Sequence, residues 1–102
     1  MSVRYTSAAL EDLRAALVYL HDRNPDAASK LADRLEEIVE HLAAGWFEGP
    51  EMILSDGQRA RSWALPPLRV YYQRSAEGLI VLRTYDQRQS PITKRPSPRG
   101  GK

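Results

Sequence analysis

The sequence predicts an α+β domain: an N-terminal strand, an antiparallel helical hairpin, and then an antiparallel meander of three or four strands. Three observations carry this expectation. Leucine-rich stripes at helical spacing run through residues 10–42, an Asn-Pro break divides them, and from residue 52 onward short apolar-rich segments of strand length are separated by turn signals. With 102 residues there is room for one core only, because a chain of this size buries roughly 60–65% of the surface exposed when unfolded.

Val3-Arg4-Tyr5 alternates as a short strand, and Thr6-Ser7 follows as an N-cap that starts a helix near Ala8. Glu11 and Asp12 are expected near its first turn, where negative charge suits the helix dipole. Leu10, Leu13, Leu17 and Leu20 then form one apolar stripe. At the break, Asn24 can cap a second helix and Pro25 can occupy its first position, where a missing N–H costs nothing. Ala28, Leu31, Leu35, Ile38 and Leu42 make the second stripe, and Gly45 is a C-terminal stop. Trp46 and Phe47 sit in a connector, placed to cover the edge of the core.

The strand candidates follow in order. Met52-Ile53-Leu54 precedes a Ser55-Asp56-Gly57 turn; Arg59 to Leu65 alternates until Pro66-Pro67; Leu68 to Gln73 and Leu79 to Tyr85 flank a turn at Ser75 to Gly78. Links this short require antiparallel pairing. Residues 1–89 therefore read as the folded domain. Residues 90–102, with Lys94, Arg95, Arg99 and Lys102 among three further prolines and two glycines, read as a flexible basic tail.

Several functions are excluded by composition. Without cysteine there is no disulfide, thiolate zinc site or cysteine nucleophile. His21 and His41 lie on different helices with no further ligands beside them, so neither metal nor cofactor is expected. Glu36, Glu37 and Glu40 read as a solvated helix face. No apolar run approaches the roughly 20 residues that span a bilayer, so no membrane association is expected and the cytoplasm is the expected location.

Charge is unevenly divided. Residues 1–57 hold five basic and eleven acidic side chains, a net of −6, and residues 58–102 hold ten basic and two acidic, a net of +8. The second half therefore points to an anionic partner. Strand parity places Leu68, Val70 and Tyr72 on one face and Arg69, Tyr71 and Gln73 on the other. If Ile80 and Leu82 join Val70 and Tyr72 beneath the helices, Arg69, Tyr71, Arg83 and Tyr85 project from the opposite face. Arginine offers a permanent forked charge, and tyrosine stacks or donates a hydrogen bond.

The motifs Tyr5-Thr6-x-x-Ala9-x-x-Asp12-Leu13, Asn24-Pro25-x-Ala27-Ala28, Leu68-Arg69-Val70-Tyr71-Tyr72 and Ile80-Val81-Leu82-Arg83-Thr84, in that order, resemble the ParE/RelE toxin superfamily, most closely ParE, the plasmid stabilisation toxin. The resemblance implies a RelE/ParE-like fold and a type II toxin neutralised by a cognate antitoxin that wraps it, as a homodimer or within a heterotetrameric complex. The ParE branch inhibits DNA gyrase. The RelE branch is a ribosome-dependent, metal-independent mRNA endoribonuclease.

For target binding the resemblance and the parity together single out Arg61, Arg69, Tyr71, Arg83, Tyr85 and Arg88. On the RelE alternative, Arg61, Arg69, Arg83, Tyr85 and Arg88 would be catalytic. Many relatives carry a histidine-containing segment where this chain has Tyr85-Asp86-Gln87-Arg88, and Asp86 puts negative charge where a phosphate would approach. Metal-free RNA cleavage must deprotonate a 2′-OH, protonate the leaving oxygen and stabilise the charged phosphate, and arginine readily does only the last. The residues thus favour inhibitory protein binding over intrinsic catalysis, with no catalytic residue expected, and the resemblance to ParE implies DNA gyrase as the protein bound.

Overall fold

The computed structural model describes residues 2–87. In chain order these form β1 (Ser2–Tyr5), α1 (Ser7–Arg23), α2 (Pro25–Ala44), β2 (Glu51–Ile53), β3 (Arg59–Leu65), β4 (Leu68–Ser75) and β5 (Gly78–Asp86). The strands make one sheet in the order β1-β5-β4-β3-β2, antiparallel throughout except that β1 runs parallel to β5. The α+β fold and its helical hairpin are as the sequence predicts. Arg88 and the tail of residues 90–102 lie outside the described residues.

Both helix starts follow from their caps. The Thr6 hydroxyl accepts from the Ala9 N–H at 3.1 Å and donates to the Leu82 carbonyl at 2.7 Å, so one side chain starts α1 and ties it to β5. Asn24 accepts from the Ala27 N–H at 3.1 Å, and Pro25 begins α2. Gly45, at φ 81°, ends α2 in the left-handed conformation that side chains resist.

The helix stripes differ from expectation in one place. Leu10 is 52% exposed, whereas Ala9 is fully buried. There α1 comes so close to β5 that the Thr84 hydroxyl donates to the Ala9 carbonyl at 2.8 Å, a spacing that suits a methyl group. Leu13, Leu17 and Leu20 pack on the core as predicted, and Val39 joins Leu31, Leu35 and Leu42 from α2. Because α1 starts at Ser7, Glu11 and Asp12 lie beyond its first turn, and the Asp12 carboxylate serves a different purpose described below.

Leu68, Val70 and Tyr72 face the helices as parity requires. Their partners on β5 do not follow the simple alternation. Tyr71 pairs with Arg83 but Tyr72 with Val81, so Leu82 is an extra residue in a β-bulge. Leu79 and Val81 consequently pack beneath the helices, while Ile80 and Leu82 belong to a second cluster with Leu54, Ala60 and Tyr71 on the far face. The expectation that Ile80 and Leu82 sit under the helices is corrected by this bulge. After it, Arg83 and Tyr85 still share the face of Tyr71 and Arg69.

The connector is pinned by Gly49, whose N–H donates to the buried Tyr72 hydroxyl at 2.8 Å. Phe47 covers the core by stacking on Trp63 at 4.3 Å. Trp46 instead remains 72% exposed, stacked on His41 at 4.5 Å. Among the described residues no helix is long and apolar enough to cross a membrane, and no cluster of three or more metal-ligating side chains occurs.

Candidate functional site

The sheet face turned away from the helices gathers four of the six residues singled out by sequence. On adjacent strands, Arg69 of β4 is the register partner of Tyr85 of β5, and Tyr71 is the partner of Arg83. Leu54, Ala60 and Leu82 make the apolar floor beside Tyr71, which is itself 7% exposed. An Nη1 of Arg69 donates to the fully buried Ser62 hydroxyl at 2.8 Å, fixing the guanidinium over β3. Ser62 was not among the sequence candidates. Its pairing with Tyr71 across the β3–β4 ladder is the only signal that would have found it.

Arg83 is held differently. Its Nε donates to Asp12 Oδ2 at 2.6 Å and its Nη2 to Asp12 Oδ1 at 2.8 Å, a two-pronged ion pair between α1 and β5. The Thr84 backbone N–H adds a longer contact to the same carboxylate at 3.3 Å. β1 ends at Tyr5, opposite Val81, so Asp12 covers the stretch of β5 that no strand pairs with on that side. These hydrogen bonds donated to Asp12 hold the Arg83 pKa above its ordinary value, against the effect of partial burial. The same guanidinium lies 5.1 Å from the Tyr85 ring, within cation–π range. Asp12 is therefore a residue of the candidate site that the sequence marked as a helix-dipole partner and as part of a family motif, without its pairing to Arg83.

Two phenols complete the face. Burial raises the pKa of Tyr71, outweighing the opposing field of Arg69. At the rim, the Asp56 carboxyl is held below the usual carboxylate range by the Gln58 backbone N–H, at 3.0 Å, and by the Gln58 side-chain amide, at 2.8 Å. Thr6, Leu54, Asp56, Gln58, Leu82 and Arg83 enclose a cavity of about 250 Å³ between the start of α1 and the β2–β3 turn.

Arg61 does not join this group. As the register partner of Tyr72 it lies on the helix side of the sheet, where it pairs with Glu48 at 2.8 Å and donates to the Gly49 carbonyl at 2.8 Å. Arg74 pairs with the same carboxylate at 2.9 Å. Sequence alternation within β3 already separates Arg61 from Ser62; only the pairing with β4 shows which of them faces Tyr71.

A capped helical hairpin on this strand order is accompanied by a match, over residues 3–91, to the family described as the ParE toxin of type II toxin-antitoxin system, parDE. The chain belongs to the ParE toxin family. No curated protein matches it. A ParE-family toxin is one component of a type II toxin-antitoxin system, and that membership implies a cognate antitoxin as partner.

On the described face this ParE-family toxin offers guanidinium and phenol donors to an oxyanion. Proton transfer is poorly served there. The carboxylate nearest the arginines, Asp12, is already engaged by Arg83 and by a backbone N–H, and burial disfavours the phenolate of Tyr71.

Proposed function

We propose that this toxin acts by binding DNA gyrase through the outer face of β4 and β5, using Arg69, Tyr71, Arg83 and Tyr85, and that its antitoxin neutralises it. The observation that carries this reading is the convergence of two arginines and two tyrosines on one face whose carboxylate is committed to a structural ion pair. Such a surface grips a partner and lacks a convenient base for a 2′-OH. Gyrase is the target that membership of the ParE branch suggests. In this reading the toxin transforms no substrate itself, and it works in the cytoplasm where gyrase and DNA are found.

Ribosome-dependent mRNA cleavage is the competing mechanism. The two are separated by incubating the purified full chain with gyrase and relaxed plasmid, and in parallel with ribosomes carrying a defined mRNA. Blocked supercoiling with intact mRNA is expected; codon-positioned cleavage with normal supercoiling would reject the gyrase reading.

A further inference from the structure

Ion pairing divides the arginines of β3, β4 and β5 into two kinds. Arg59 pairs with Glu51 at 3.9 Å, Arg61 and Arg74 share Glu48, and Arg83 is held by Asp12. Among the described residues of these strands, Arg69 alone has no carboxylate partner; its guanidinium donates to the neutral Ser62 hydroxyl. That bond uses one N–H of Nη1 and fixes the plane of the fork, leaving its other donors for a ligand. Tyr71, two residues along the same strand face, and Tyr85, the cross-strand partner, flank it.

From this arrangement we infer that Arg69 is the receptor for a single carboxylate, an Asp or Glu side chain of the protein target, and that Arg83 frames the site without supplying its free charge. The inference rests on the reading of this face as the target-binding surface. A nucleic-acid backbone is the wrong ligand for it. A nucleic-acid backbone presents a run of phosphates, about one per 3.4 Å of duplex axis on each strand, and its binding needs several uncompensated cations. Here there is one unpaired arginine, and its neighbour on the same face, Arg83, is already compensated by Asp12 and lies within the field of Asp56. An isolated carboxylate meets the one free fork without facing those acids.

The test compares the full-length wild type with Arg69→Ala, Arg69→Lys and the control Arg74→Ala in three measurements: growth arrest on induced expression, inhibition of gyrase supercoiling, and binding of a fluorescein-labelled single-stranded RNA oligonucleotide. Thermal melts establish that each variant is folded; Arg69→Lys keeps the stem and charge should Arg69→Ala fail to fold. Arg69→Ala is expected to weaken growth arrest and supercoiling inhibition by roughly 30-fold or more. Arg69→Lys should weaken them less, because an ammonium replaces the fork only as a point charge. Arg74→Ala should match the wild type. Undiminished growth arrest by folded Arg69 variants overturns the inference, as does tight, steeply salt-dependent RNA binding that Arg69→Ala abolishes. Growth arrest that depends on Arg69 while even the wild type leaves supercoiling untouched supports the inference and rejects gyrase as the target.

Discussion

Asp12 and Arg83, 71 residues apart in sequence, meet side by side with two hydrogen bonds of 2.6 and 2.8 Å, and this contact joins the first helix to the last described strand. The Asp12 side chain retains 16% of its exposure and that of Arg83 31%, so solvent screens the pair only in part. Removing one partner strands a charge in a site built for two.

Asp12→Ala should therefore destabilise the fold by about 2 kcal/mol, a fall in Tm of roughly 8–16 °C for a domain of this size. Asp12→Asn, which keeps the shape but not the charge, should lie between it and the wild type. Thermal denaturation followed by circular dichroism measures both; an Asp12→Ala melting curve coincident with wild type would show that the pair contributes nothing.

Tyr72 supports the connector from inside the core. It is fully buried, and its hydroxyl receives the Gly49 N–H. Tyr72→Phe should cost about 1–3 kcal/mol, because the Gly49 donor loses its acceptor while the packing is kept. Gly49→Ala should cost more than Tyr72→Phe, since a Cβ there would lie 1.6 Å from the Ser62 carbonyl oxygen, a backbone atom that cannot swing aside. Urea titrations rank the two variants, and a Gly49→Ala midpoint equal to wild type would contradict the packing described.

Alkaline pH provides a separate check on the outer face. Burial raises the pKa of Tyr71, and burial together with Glu36 raises that of Tyr5, above the ordinary value of 10.0. A raised folded pKa means that the native state holds its proton more tightly than the unfolded chain. The stability so contributed is complete below pH 10 and lost as pH climbs through the raised values. Tyr71→Phe should flatten part of that decline. Urea midpoints at pH 8 and pH 10.5 test it; an identical drop in wild type and variant would exclude Tyr71 as a contributor.

Much of this fold was legible in the chain because its punctuation is strong. Thr6, Asn24, Pro25 and Gly45 fix the helix ends through local chemistry that acts the same way in any context, and the strands of the meander follow from alternation between turn residues. What escaped was set by pairing across the chain. Nothing local to Leu82 marks a bulge, so the alternation of Leu79 to Tyr85 misassigned Ile80 and Leu82, yet left Arg83 and Tyr85 on the expected face. Leu10 fitted the apolar spacing of α1 and still faces solvent, because the closest approach to β5 falls one residue earlier. Asp12 and Ser62 escaped because each meets its arginine through pairing rather than local pattern: Asp12 reaches Arg83 from a segment 71 residues away, and Ser62 reaches Arg69 through the register of the β3–β4 hairpin.

Arg61 gives a prediction in the opposite sense from Arg69. Held on the helix side by Glu48 and the Gly49 carbonyl, it should affect the connector and leave the target surface intact. Arg61→Ala should lower Tm by a few degrees, about 0.5–1 kcal/mol for a partly exposed ion pair, and inhibit supercoiling at the same concentration as wild type. A normal melt combined with lost inhibition would move the target surface to the other side of the sheet.

The register pair Arg69 and Tyr85 offers the most direct test of the outer face as the inhibitory surface. Supercoiling by purified gyrase is titrated with wild type and with the double variant Arg69→Ala, Tyr85→Ala, both confirmed as folded by near-ultraviolet circular dichroism. Wild type should block supercoiling while the double variant fails to do so at many times the wild-type concentration. Equal inhibition by the two proteins would place the gyrase contact elsewhere on the molecule.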